Sequence, residues 1–449
     1  MRVADLNGRS VAVWGTGPEG RAAVLAIAPH RPSRLIAVDD SADFLAVPWA
    51  AELAALAPLA GGDHAFPALV TAEVVVRSPD IPQTHPWVTE LRERGVTITS
   101  GSALWMADNA ARTIGVTGSK GKSTTSSLIS RLLTAVGRPG VFGGDLDVPL
   151  LDLPPAAQYV LQLSSRQCAD LTDSPRVAAV TALFPEDLLA HGGEREYYRD
   201  TLNVLRRGPE MIVVNGADLR LRDEIRGICD LNGFPPIPAG ADDSRFRVED
   251  EWVHCSDEPL FHREALHLKG AHNGRNLCVA LAVLDGLGVD VPGMKDELQA
   301  AVESFEGLPH RLAEIADPSG LTFVDDTVST NPYSAMQAIE AYPSRPLTVL
   351  VGGTDRGLDY APLRQFLTDR ELTVIGIPDS GPRIVEELAG LSGVTTEVAE
   401  DLPAAVRLAR KMTPSGGVVL LSPAAPGYGR YPDIERCSEA FATAVRESA

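Results

Sequence analysis

Short β-branched runs recur through the chain, among them SVAVWG, RLIAVDD, AEVVVRS, RTIGVTG, QYVLQLSS, RVAAVTA, MIVVNGAD, LTFVDD, PLTVLVGG, LTVIGIP and GVVLLSP, and alanine- and leucine-rich stretches separate them. Strands that alternate with helices pair in parallel, because each helix carries the chain back across the sheet. The pattern predicts an α/β protein built on parallel sheets. At 449 residues the chain exceeds what one hydrophobic core usually supports, so several domains are expected, and a hydrophobic content of 44% is ample to fill them.

One interval between strand and helix carries chemistry. The apolar run Thr113–Val116 leads into TGSKGKST, and Ser123–Leu133 has the length and apolar spacing of a helix. The usual phosphate-loop pattern needs a glycine five residues before Gly121, and Val116 stands there instead. Gly118 and Gly121 still free the backbone around Ser119 and Lys120 to turn its amides toward an anion at the head of the helix. Lys122 supplies a point charge, and the hydroxyl of Ser123 or Thr124 can hold Mg²⁺.

A second glycine signature lies near the start. VAVWGTGPEGRAA places Gly15, Gly17 and Gly20 after a strand, and the next strand ends in Asp39 and Asp40. Alone it is consistent with a dinucleotide site and an NAD-dependent dehydrogenase. Any nucleotide diphosphate could use the same loop, and so could a purely structural turn. The dehydrogenase reading leaves Lys122 and Arg311 without a purpose.

Further along, His272, Asn273 and Asn276 cluster at the entrance of a predicted helix, where capping is the structural reading. Asp230–Pro259, rich in Pro, Gly and Asp, reads as an irregular excursion, and EGLPHRLAEI as a hinge. Strand ends in the last third carry Asp325-Asp326-Thr327, Gly352 to Arg356, and Ser422 to Pro426, positions where open parallel sheets bind ligands. The expected division is a Rossmann-like N-terminal domain (1–107), a central P-loop ATPase domain with a mostly parallel sheet (108–308), and a Rossmann-like C-terminal domain (309–449).

A net charge of −20 without clustered Lys and Arg argues against a nucleic-acid partner. Five widely spaced cysteines with no C-x-x-C look like reduced thiols. No apolar run approaches the ~18 residues of a membrane span. A cytoplasmic monomer with no membrane partner is expected.

TGSKGKST, QLSSRQ, GAHNGRN, GLPHR, DDTVSTNP, GGTDRG and LSPAAP stand in an order and spacing that resemble the glutamate-adding Mur ligases over nearly the whole chain. GKST favours this branch over those whose loops read GKTT, and the late position of Lys122 separates the chain from folylpolyglutamate synthetases. The resemblance implies an ATP- and Mg²⁺-dependent ligase. ATP would phosphorylate the carboxylate of UDP-N-acetylmuramoyl-L-alanine, and the amine of glutamate would attack the acyl phosphate. Carried over position by position, Lys122, Arg311 and His191 are the candidate catalytic residues. Gly118 to Thr124, Asn273, Asn276, Arg311 and Asp326 would hold ATP. Gly15, Gly17, Gly20, Asp39, Arg77 and Ser78 would hold the UDP part, and Thr330, Asn331 and Arg356 the amino acid.

The resemblance also marks departures. Gln162 replaces a metal-ligating glutamate, Asp187 a histidine, and Thr201 a carbamylated lysine; Asp80, Asp145 and Asp147 stand at other altered positions. Ser123, Gln162 and Asp187 are left as the metal set, with Asp187 its one certain negative charge. A divergent paralogue that binds nucleotide but turns over poorly is therefore an alternative. In the amino-acid pocket Val328 replaces a lysine, Gly427 a serine and Ile434 an aromatic. The loop SPAAPGYGRYPDIER resembles the L-glutamate-adding subfamily, so L-glutamate is expected over D-glutamate.

Overall fold

A computed structural model describes residues 1–40, 47–144, 148–233, 235–425 and 430–448. It forms two compact units, Met1–Ala265 with Gly274–Ser304, and Leu266–Asn273 with Phe305–Ala449.

The first unit holds two parallel sheets. In the first, β1 (Ser10–Trp14), β2 (Arg34–Asp39), β3 (Leu59–Gly61), β4 (Val74–Arg77) and β5 (Thr97–Thr99) lie in the order β3-β2-β1-β4-β5. This is a doubly wound arrangement, and its order reverses between β1 and β4. Val11 and Val13 enter one core with Val24, Ile27 and Leu104, while Ala12 and Trp14 enter another with Leu69 and Leu91. Burial on both faces explains why the strand reads as one apolar run.

The second sheet comprises β6 (Thr113–Thr117), β7 (Val141–Gly143), β8 (Tyr159–Gln162), β9 (Val177–Val180), β10 (Met211–Asn215) and β11 (Ile237–Ala239), in the order β11-β10-β9-β6-β8-β7. β6 pairs in parallel with β8 on one side and β9 on the other, so the loops leaving these three strands share one edge. Helix Gly101–Asn109 runs across residue 107. Its Leu104 packs into the first sheet's core, and its Trp105 and Met106 pack into the second's.

The expected irregular excursion over Asp230–Pro259 is corrected. It holds the end of helix Leu219–Asn232, β11, and most of an antiparallel meander of β12 (Phe246–Glu249), β13 (Trp252–Cys255) and β14 (Glu258–His262). Asp250 and Glu251 take left-handed conformations between β12 and β13, as a two-residue hairpin turn of mirror-image type requires. The turn-forming residues dominate the composition because the strands between them are so short.

The second unit carries β15 (Ala313–Ala316), β16 (Thr322–Asp325), β17 (Leu347–Val351), β18 (Leu372–Gly376), β19 (Val394–Val398) and β20 (Val418–Leu421), ordered β15-β16-β20-β17-β18-β19. Only β15 is antiparallel to its neighbour among these pairings. The chain steps from β16 to β19 in one direction, burying helices Pro332–Glu340, Ala361–Phe366 and Gly381–Leu388 against one face. It then returns to β20, which puts Leu402–Met412 and Ile434–Glu447 on the other.

The five cysteines are free and buried. No helix among the described residues is long and apolar enough to cross a membrane.

Candidate active site

The phosphate loop leaves β6 at the shared strand edge. Gly118 has φ +131°, and a Cβ there would stand 2.5 Å from Thr181 Oγ1, so the close approach of two strand ends excludes any side chain. Gly121, at φ +87°, stops the loop and caps helix Lys122–Ala135. The head of that 14-residue helix aims its backbone amides and the positive end of its dipole at the loop. Lys122 bends back across it, its Nζ donating to the carbonyls of Gly118 at 2.7 Å and Ser119 at 2.9 Å. Ser123 and Thr124 lie nearly buried in the first turn. Behind the loop, Tyr197 Oη donates to Ser119 Oγ at 2.9 Å, and Ser119 Oγ donates to Phe184 O at 2.7 Å. Lys120 Nζ pairs with Glu186 at 3.1 Å. Asn276, on helix Ala271–Gly286, lies so close that a Cβ at Gly121 would be 2.6 Å from its Oδ1.

The ends of β8 and β9 revise the metal set. Arg166 donates to both oxygens of Asp187, at 2.5 and 2.9 Å, and to Asp80 O at 3.2 Å. The charge of Asp187 is thus neutralised by a guanidinium, and the carboxylate paired with the phosphate loop belongs to Glu186. Thr201 is fully buried, and Asp145 and Asp147 lie outside the described residues. Gln162 Oε1 is buried without a hydrogen-bond partner, and no group of three or more His, Cys, Asp or Glu suited to a metal occurs among the described residues. The hydroxyls of Ser123 and Thr124 beside an anion cradle fit one nucleotide-bound Mg²⁺. The described residues do not fit a second, carboxylate-held ion.

His191 ends the short helix Leu188–His191 and is 3% exposed. Its Nδ1 lies 2.7 Å from Asp200 Oδ2, and its Nε2 lies 3.0 Å from Ser165 Oγ.

In the first sheet the glycine loop follows β1. A Cβ at Gly20 would collide with Gly15 O at 1.8 Å, whereas one at Gly17 would meet nothing within 4 Å. Gly20 therefore serves packing, and Gly17 leaves the backbone open to a ligand. Asp39, at the end of β2, accepts from Thr16 N at 2.9 Å and Thr16 Oγ1 at 2.7 Å. Ser78 follows β4 and hydrogen-bonds Trp14 O through its amide, beside Gly15.

Arg77 is corrected. Its side chain is 1% exposed and pairs with Asp170 at 2.6 Å, itself 6% exposed, while another nitrogen donates to Ile81 O. A guanidinium committed to a buried carboxylate is a structural strut rather than a contact for UDP.

Glu19, in the glycine loop, was not singled out from the sequence. Burial pushes its carboxyl up from 4.5 to about 7, with the charge of Asp80 adding to the shift. A carboxyl raised in the fold binds more protons folded than unfolded between those two values, so its contribution falls as pH rises through that window. Glu19→Gln is expected to exceed the parent's stability at pH 8 by roughly 2 kcal/mol, after discounting for partial exposure, and to gain nothing at pH 4.5. Denaturant unfolding at the two pH values checks this; equal stability at pH 8 contradicts it.

In the second unit, Arg311 is flanked by His310 at φ +59° and Leu312 at φ +50°, a strained backbone of the kind that collects at ligand sites. His310 Nδ1 lies 2.8 Å from Asp325 Oδ2. Asp326 accepts from Ser329 Oγ at 2.6 Å and Ser422 Oγ at 2.8 Å. Asn273 Nδ2 donates to Lys269 O at 2.7 Å. Asn331 is corrected from amino-acid contact to helix cap: its Oδ1 accepts from Ser334 N at 3.0 Å, and it is 2% exposed. Thr330 is half-buried, and Arg356 is exposed on the loop after β17, beside Asp355, which pairs with Arg383 at 2.7 Å. Gly427 lies outside the described residues.

No family model matches the chain. Solved structures share its fold: UDP-N-acetylmuramate-alanine ligase from Thermotoga maritima (TM-score 0.58, 19% identity, 98% of this chain and 100% of that one), and a MurF ligase from Thermotoga maritima in complex with ADP (0.59, 16%, 100% and 97%). The architecture is that of the three-domain α/β Mur ligases. Among curated relatives, the UDP-N-acetylmuramoyl-L-alanine–L-glutamate ligase of Micromonospora sp. is 65% identical over 453 residues, spanning 100% of this chain and 99% of the relative. Those of Salinispora tropica (62%; 100% and 100%) and Xanthomonas axonopodis pv. citri (35%; 98% and 96%) carry the same name. The chain belongs to the UDP-N-acetylmuramoyl-L-alanine–L-glutamate ligase family. The dehydrogenase alternative falls with that finding.

Proposed function

We propose that this protein joins L-glutamate to UDP-N-acetylmuramoyl-L-alanine in peptidoglycan precursor synthesis, at the expense of ATP. The observation that carries the reading is the loop Gly118–Thr124, an anion cradle at a helix head with Lys122 folded across it, in a chain of this family.

A carboxylate is a poor electrophile at neutral pH. Bound ATP would supply the phosphoryl group that turns one of its oxygens into a leaving group, and Ser123 or Thr124 would hold a Mg²⁺ that offsets the phosphate charge. The chain's own contribution is position and field. The amides after Gly118 and the dipole of helix Lys122–Ala135 receive the phosphates, and Lys122 moves from the loop carbonyls to the transferring group. Asn276, packed against Gly121, is assigned to the nucleotide. Gly17, Asp39 with Thr16, and Ser78 form the nucleotide-sugar cradle, without Arg77. Asn273, Arg311 and Asp326 are assigned to the nucleotide.

For the incoming amino acid we assign Thr330 and Arg356. Val328 and Ile434 withhold the cation and aromatic ring expected of a D-glutamate pocket, which supports the L-enantiomer. Residues 1–107, 108–308 and 309–449 are assigned to nucleotide-sugar, ATP and amino acid respectively, in a cytoplasmic monomer. Phosphate release by the purified protein tests the reading. It is expected to require ATP, Mg²⁺, UDP-N-acetylmuramoyl-L-alanine and glutamate together; release indifferent to the last two contradicts it.

A further inference from the structure

Ligation needs a free amine, but an amino acid reaches the site as an ammonium ion. The first unit holds a proton path beside the phosphate loop. Ser165 opens helix Ser165–Ala169, three residues beyond the last residue of β8, the strand next to β6. Its hydroxyl is half-buried and lies 3.0 Å from His191 Nε2. On the opposite side of the ring, Nδ1 lies 2.7 Å from Asp200 Oδ2, and Arg199 holds the other carboxylate oxygen at 2.9 and 3.0 Å. His191 and Asp200 are 3% and 5% exposed, so Ser165 is the end of the chain that meets solvent or substrate.

The surroundings place this chain near the phosphoryl centre. Cys168 lies one turn beyond Ser165, with its Sγ 3.5 Å from Thr117 Oγ1 at the root of the phosphate loop. It feels the charges of both Lys122 and Asp200, and burial pushes its thiol up to about 12, so it stays a neutral spacer. The edge of Tyr197 meets the imidazole at 5.3 Å while its hydroxyl bonds Ser119 in the loop. Arg199, on the helix that carries Asp200, is committed to that carboxylate, and Arg166, next to Ser165, is committed to Asp187.

We infer that Ser165, His191 and Asp200 form a proton relay that deprotonates the attacking amine, with Ser165 meeting the substrate and Asp200 as the positioning residue. The inference rests on the ligase reading above. In the step, the ammonium N–H bond breaks and its proton passes to Ser165 Oγ, which releases its own proton to His191 Nε2. The freed nitrogen lone pair forms the C–N bond to the acyl carbon. The C–O bond to phosphate then breaks, and inorganic phosphate leaves with the electron pair and takes the nitrogen's second proton, which leaves a neutral amide. His191 retains its Nδ1–H toward Asp200 throughout, and Nε2 later returns its proton to water.

The test compares parent, Ser165→Ala, His191→Gln and Asp200→Asn with two nucleophiles, L-glutamate and hydroxylamine, which is weakly basic and largely unprotonated at neutral pH. A lost relay is expected to lower kcat with glutamate by about 100-fold near pH 7, with little change in KM. Acyl hydroxamate formation from hydroxylamine is expected to stay within a few-fold of the parent. The kcat of the variants with glutamate is expected to keep rising with pH as the amino acid deprotonates in solution. Hydroxamate formation that falls in step with glutamate ligation, or Ser165→Ala with unchanged kcat, overturns the relay. Ser165 is half-buried, so this variant reads out even if His191→Gln unfolds. A parent that makes hydroxamate but no glutamate product overturns the ligase reading, and the relay with it.

Discussion

Lys122→Ala is expected to lose ligation by about 100-fold or more while unfolding at the parent's denaturant midpoint, because removal of one preorganised charge contact to a transferring group typically costs that much. The side chain contributes nothing to a core: its Nζ donates to the Gly118 and Ser119 carbonyls of its own loop. At the first position of the helix an alanine is also tolerated well. The loss is expected in kcat, since the charge acts on the phosphoryl group as it moves. Phosphate release within a few-fold of the parent would remove the loop from the chemistry.

Arg77→Ala is expected to fail in the opposite way, by unfolding. Arg77 and Asp170 are 1% and 6% exposed at the side chain, and they join the end of β4 to the segment after helix Ser165–Ala169. Deleting the guanidinium leaves the buried Asp170 carboxylate with a hydrogen bond from Gln83 Nε2 in place of its charge partner. A broken buried pair of this kind costs about 3–5 kcal/mol, whereas replacing both members by apolar groups is far milder. Arg77→Met with Asp170→Leu is therefore expected to recover most of the midpoint lost by Arg77→Ala. An Arg77→Ala protein of parental stability with a raised KM for the nucleotide sugar would restore the substrate role that the sequence resemblance gave it.

Those two residues show where sequence reading succeeds and where it stops. The phosphate loop is contiguous: strand, glycines, lysine, hydroxyls and helix follow one another within a dozen or so residues, so local pattern suffices. Strands of the parallel sheets are equally legible, because burial on both faces leaves unbroken apolar runs such as SVAVW and VVLL. Ion pairs and hydrogen bonds between distant side chains are a different matter. Arg77 meets Asp170 across 93 residues, Arg166 meets Asp187 across 21, and His191 meets Ser165 across 26. Nothing local reveals that the charge of Asp187 is already spent or that Glu186 faces Lys120. The antiparallel meander escaped for another reason, as its strands of four or five residues cover too few alternations to show a period and are crowded by turn residues. Asn331 was legible and overlooked: Asn, then Pro, then Ser at the third helical position is a capping box with proline at its start.

The acceptor is the claim on which the family, the pocket and the chemistry converge. Its most direct test is kcat/KM for L-glutamate and D-glutamate, measured side by side with UDP-N-acetylmuramoyl-L-alanine, ATP and Mg²⁺. A mirror-image ligand leaves at least one polar group of a hydrogen-bonding pocket unpaired, which costs about 1–3 kcal/mol. The account predicts a preference for L-glutamate of about tenfold or more; a preference for D-glutamate, or none, contradicts it.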